Sequence, residues 1–209
     1  MSRRVPLVIF ILLVCFPSEV FCLDNKVTTK DRFYAFLQAG SFKGNDDTGN
    51  IKTDGPGYGY GLGLGYFLSR NLSIEGDFMY FADDYVRDSI TLAPGTSSNK
   101  IEIASVSLAV NTKYFIRHKK LSFSFGAGIG FYDSDIYVRE IGVDGKSNVN
   151  GDQAIGYQGI MGIGYSYTDR SRVELGWRGI FLDQNFGVYS NGKADTGGNY
   201  FYIGYRGSF

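Results

Sequence analysis

The sequence predicts an all-β fold: an eight-stranded antiparallel up-and-down transmembrane β-barrel, complete once an N-terminal leader is removed. Three observations predict it. Hydrophobicity alternates with period two along most of the chain, the period of a strand with two unlike faces. There are eight alternating segments, each near the roughly 9–11 residues that a tilted strand needs to cross a bilayer. The connections between them are alternately short and long, the asymmetry of a barrel with plain turns at one end and loops at the other.

Composition fits. The 209 residues include 29 Gly, 16 Tyr and 17 Phe but only 4 Pro, a mix suited to strands and turns. Mean hydropathy is -0.11. That is too polar for helical spans of about 20 apolar residues each, but a barrel hides its apolar face by alternation. A formal net charge of zero argues against a nucleic-acid partner held through its phosphates.

The N-terminus reads as a secretory signal peptide over residues 1–22. Arg3 and Arg4 precede the apolar run from Val5 to Phe16, and Val20 and Cys22 occupy the −3 and −1 positions of a cleavage site. Bulky Phe21 stands where a lipoprotein needs a small residue before its cysteine. Both cysteines, Cys15 and Cys22, fall in this leader, so no disulfide or thiol chemistry is expected beyond it. Residues 23–30 are expected to be a short periplasmic segment, and residues 31–209 the barrel.

The strands follow in order. Over 33–42, Phe33, Ala35, Leu37 and Ala39 share one face, with Tyr34, Phe36, Gln38 and Gly40 opposite. Over 57–68, Tyr58, Tyr60, Leu62, Leu64 and Tyr66 alternate with five glycines. Over 72–81, Leu72, Ile74, Phe78 and Tyr80 oppose Ser73, Glu75, Asp77 and Met79. Over 104–115, Val106, Leu108 and Val110 oppose Ser105, Ser107, Asn111 and Lys113. Over 121–132, Phe123, Phe125, Ile129 and Phe131 oppose serines and glycines. Over 154–167, Ile155, Tyr157, Met161 and Ile163 oppose Gln158, Gly162 and Gly164. Over 172–181, Val173, Leu175 and Trp177 oppose Glu174, Gly176 and Arg178. Over 199–209, Phe201, Ile203, Tyr205 and Phe209 oppose Tyr202, Gly204, Arg206 and Ser208. Short connections near 69–71, 117–120 and 168–171 alternate with long polar ones over 43–56, 82–99, 133–152 and 182–197.

Period two also fits a soluble sandwich or lipocalin-like barrel, with the apolar face turned inward. Two features favour the membrane. The polar face is rich in glycine, where a soluble surface would carry Lys, Thr and Glu. The apolar face ends in Tyr, Trp and Phe, as interfacial girdles do.

By parity, Glu75, Asp77, Lys113, Glu174, Arg178 and Arg206 face the lumen. Charges in so narrow an interior are tolerated when paired and hydrogen-bonded, and three acids against three bases suggest a network that closes the lumen. Aromatic Tyr34, Phe36, Tyr200 and Tyr202 on the first and last strands face glycines elsewhere, the large-against-small pattern of a filled interior.

No catalytic, cofactor-binding or metal-binding residues are expected. The glycine run over 57–65 repeats every two residues and opens no helix, unlike a dinucleotide loop. Gly145-Lys146-Ser147 imitates a phosphate loop, but Glu140 stands where its first glycine belongs. His118, the one histidine, lies in a basic turn without hydrolase signatures around it.

The segments GYGYGLGLGYFLSRNLSIEGDFMYF, FSFGAGIGFY, GYQGIMGIGYSYTDRSRVELGWRG and YFYIGYRGSF resemble the outer-membrane-protein β-barrel domain family, which includes small barrels of the OmpX and OmpW type and bacterial surface antigens. The resemblance spans about residues 31–209. It implies export, integral insertion in the outer membrane of a Gram-negative bacterium, and delivery through the barrel assembly machinery. That machinery reads a terminal aromatic with apolar residues at alternate positions, here Phe209, Tyr205, Ile203 and Phe201; Gly207 departs from the pattern. The expected partners are outer-membrane lipid and lipopolysaccharide, the assembly machinery, and a host or extracellular ligand at the loops. The expected function is non-enzymatic surface interaction (adhesion, surface antigen or envelope integrity), with a narrow porin-like channel for small or apolar solutes as the alternative.

Overall fold

A computed structural model describes residues 32–44, 51–53, 55–87, 99–140, 147–182 and 197–209. The leader and the 23–30 segment lie outside the described residues. The strands are β1 (Phe33–Gly44), β2 (Ile51–Thr53), β3 (Gly57–Phe67), β4 (Leu72–Arg87), β5 (Asn99–His118), β6 (Leu121–Glu140), β7 (Ser147–Ser166), β8 (Ser171–Phe181) and β9 (Gly198–Ser208). Every pairing is antiparallel, and each wall strand pairs with its sequence neighbours. β1 and β9 then pair from Tyr34↔Ser208 to Gly44↔Gly198 and close the sheet. The result is a closed eight-strand barrel, with β2 a three-residue appendage on β4.

Closure pairs both edges of each wall strand over the stretch where the ring is complete, the condition for a sheet in hydrocarbon; beyond it, residues 147–156 of β7 pair with β6 alone among the described residues. Side chains follow the sequence parity. Leu62, Leu64, Leu108, Ile155, Leu175 and Ile203 stand exposed on the outside, while Tyr34, Met79, Phe115, Tyr132 and Tyr200 are buried inside. At the rim that bears both described chain ends, Phe33 packs on Tyr66 and Phe209, and Tyr167 on Tyr205. Toward the other rim, Tyr58 and Tyr60 pack on Tyr80. These outward-facing rings form the two interfacial belts expected of such a barrel.

The short turns are tight. β5 and β6 are joined by Lys119 and Lys120, with Lys119 at φ 52°, as a two-residue hairpin requires. The Ser69 hydroxyl accepts from the Leu72 amide.

The other end departs from expectation. The sequence reading placed loops at 82–99 and 133–152. Instead β4 runs on to Arg87, β5 starts at Asn99, β6 reaches Glu140 and β7 starts at Ser147. Three of these strands have 20 residues, about twice what a bilayer crossing needs. The backbone ladder continues unbroken through Asp84↔Glu102 and Val106↔Asp133, because polar residues on both faces suit a sheet that has left the bilayer and meets water.

Candidate functional site

Among the described residues the lumen gathers the buried chemistry-bearing side chains, and it is filled in layers. The middle layer centres on Arg178 of β8. Its Nη1 donates to Asp77 Oδ2 of β4 at 2.7 Å and to Gln158 Oε1 of β7 at 3.0 Å. Asn111 of β5 donates to the same Asp77 oxygen at 2.9 Å, Gln158 donates to Asn111, and the Tyr132 hydroxyl of β6 donates to Gln158 at 3.2 Å. Arg178 and Asp77 have no solvent exposure.

The next layer toward the short turns centres on Lys113 of β5, 3.2 Å from Glu75 of β4 and 3.5 Å from Glu174 of β8. Tyr34 donates to Glu75 at 2.6 Å and Tyr202 donates to Glu174 at 2.8 Å. The two tyrosines come from β1 and β9, so this layer fastens the closing seam to the opposite wall.

Aromatic layers lie beyond each. Tyr34, Phe36, Phe67 and Phe115 pack together toward the short turns. Phe42, Met79, Phe81, Tyr132, Ile180, Leu182, Tyr200 and Tyr202 pack together toward the long loops. Glycines make room for the rings: a Cβ at Gly65 would overlap the Tyr34 ring, and one at Gly176 the Tyr202 ring.

Of the six lumen charges read from the sequence, the structure brings five into ion pairs and leaves out Arg206. Its guanidinium instead lies 4.8 Å from the Tyr34 ring centre and 4.7 Å from that of Phe115. Glu174 pairs with Lys113 rather than with Arg178 or Arg206. Sequence reasoning missed two inward arginines. Arg172 is buried and shares the parity of Glu174 and Arg178. Arg117 lies over Phe67 at 4.8 Å and continues the parity of Asn111, Lys113 and Phe115. Following each parity two residues further would have found both.

Asp83 falls in the 82–99 stretch that the sequence predicts as a polar loop. It is buried, and its Oδ2 accepts the Gly44 backbone amide at 2.7 Å, tying the end of β1 to β4. His118 is exposed at the end of β5. No cluster of metal-binding residues occurs among the described residues. Phe201, Ile203, Tyr205 and Phe209 all lie exposed on the outer face.

The fold and its filled lumen define a small integral outer-membrane barrel. Residues 8–209 match the model of the outer membrane protein beta-barrel domain, and the chain belongs to that family. It is similar to neisserial surface protein A, with a TM-score of 0.57 and 16% identity over 85% of this chain and 97% of that one. It is also similar to the outer membrane protein OprG from Pseudomonas aeruginosa, with a TM-score of 0.63 and 13% identity over 86% and 97% of the two chains. No curated protein sequence matches it. At such identities the likeness shows the fold alone; membership of the family puts the chain in the outer membrane and leaves function to be argued from the site.

Proposed function

We propose that this protein is a non-conducting, non-enzymatic outer-membrane barrel that acts through its long-loop end, in adhesion, as a surface antigen or in envelope integrity. The observation that carries the reading is the Arg178–Asp77 pair, 2.7 Å apart and shielded from solvent. Those strands face each other across an eight-strand ring, so the pair bars the lumen at mid-height. Tyr132, Gln158 and Asn111 complete the bar, and aromatic layers lie on both sides of it. A barrel of eight strands is just wide enough for side chains to fill. The extended β4–β7 wall supports the same reading, since it carries a folded surface out beyond the bilayer.

The partners that follow are lipopolysaccharide around the outer rim, a host or extracellular ligand at the loops, and the assembly machinery at the terminal strand. Planar-bilayer recording of refolded protein tests the closed lumen. The expected result is a flat baseline, alongside retention of the protein by lipopolysaccharide or host-cell surfaces. Stable unit conductance overturns the reading in favour of a narrow channel for small or apolar solutes.

A further inference from the structure

We propose that the short-turn mouth of the lumen is an oxyanion site that takes a phosphate group, held by Arg117, Arg172 and Arg206. The three guanidiniums converge on one ring: they lie 5.6, 5.8 and 4.7 Å from the centre of Phe115. Three like charges brought so close repel one another and call for a counter-charge. Among the described residues no carboxylate stands within ion-pairing distance of any of them. Glu75 and Glu174, the acids of the adjoining layer, are held by Lys113. This half of the lumen thus sets four cations, Lys113 and the three arginines, against two carboxylates, an excess of two positive charges.

A second observation points to a ligand. Arg172 is nine-tenths buried, and while its Nε donates to Ser166 at 3.1 Å, its Nη1 is buried with no acceptor. A buried guanidinium donor without an acceptor is costly. Forked guanidiniums match the oxygens of phosphate two at a time. Two unmatched charges suit a phosphate better than a carboxylate. Arg117 is exposed at the rim, which leaves the site open to the periplasm, the side that short turns face. The phosphate has two sources there, a free one and a lipid headgroup of the inner leaflet.

The test uses mature protein refolded in a neutral, phosphate-free detergent. Inorganic phosphate is titrated against sodium chloride at equal ionic strength, read by melting temperature and by 31P linewidth. The expected result is a saturable rise in melting temperature with phosphate alone. Arg172→Gln and Arg206→Gln should each weaken it roughly ten-fold or more. Arg117→Gln, at the exposed rim, should weaken it too, and because it removes one of three mutually repelling charges the phosphate-free melting temperature should not fall. A second arm compares vesicles of phosphatidylcholine alone with vesicles containing phosphatidylglycerol. Arginine-dependent stabilisation by phosphatidylglycerol assigns the headgroup, and a response to inorganic phosphate alone assigns the free ion. Equal responses to phosphate and chloride, or a phosphate response that survives all three substitutions, overturn the site.

Discussion

Arg178 Nη1 and Asp77 Oδ2 stand 2.7 Å apart although 101 positions separate them in the chain. A buried ion pair contributes little over an apolar pair of the same shape, but breaking it strands a charge. Asp77→Ala and Arg178→Ala should each destabilise the barrel by about 3–5 kcal/mol. The double replacement Asp77→Leu with Arg178→Met should cost less than either. Guanidinium unfolding in detergent measures all three, and additive losses would remove the pair from the account.

Asp83 and Asp133 look alike in sequence and should behave differently. Asp83 accepts the Gly44 amide out of water, so Asp83→Ala should cost about 1–3 kcal/mol. Asp133 and Asp135 are exposed, and their replacement by Asn should stay within about 0.5 kcal/mol. The temperature at which the unheated gel form converts to the heated one reads the difference.

Gly65→Val and Gly176→Val place a side chain inside the Tyr34 and Tyr202 rings. Each should lose about 1–3 kcal/mol or fail to close. Tyr202→Ala should recover much of the Gly176→Val defect, which a loss caused by backbone propensity alone would not allow. Refolding yield by gel shift distinguishes the two.

Phe209 is exposed on the outer face and stacks on Phe33, with ring centres 6.5 Å apart. Deleting it should lower outer-membrane abundance at native expression, while protein refolded in detergent keeps most of its stability. Unchanged abundance in the membrane fraction would show that the terminal pattern of Phe201, Ile203, Tyr205 and Phe209 is not read during assembly.

The sequence revealed parity and strand number because a bilayer imposes two unlike solvents on alternate residues. Tyr58, Tyr60, Leu62 and Leu64 could only face one way. Strand ends were less legible. Residues 82–87 and 133–140 carry polar groups on both faces, and once a sheet leaves the membrane nothing in the pattern marks where pairing stops. The partners of the lumen charges were not legible at all. Parity puts Glu174, Arg178 and Arg206 inside, but which of them meet depends on the stagger between strands, and the structure gives Glu174 to Lys113. Arg117 was hidden by its position beside a turn.

The seam between β1 and β9 sets the order in which the molecule can be made. Phe36 pairs with Arg206, and Tyr34 with Ser208, so the first wall strand waits for nearly the whole chain before its second edge is covered. Contacts of such sequence separation form slowly, and until they form both edges of the sheet remain open to pairing with other chains. Until β9 reaches β1, the unclosed sheet has to be kept apart from its own copies. Its most vulnerable moment is the interval between export and the arrival of β9 beside β1.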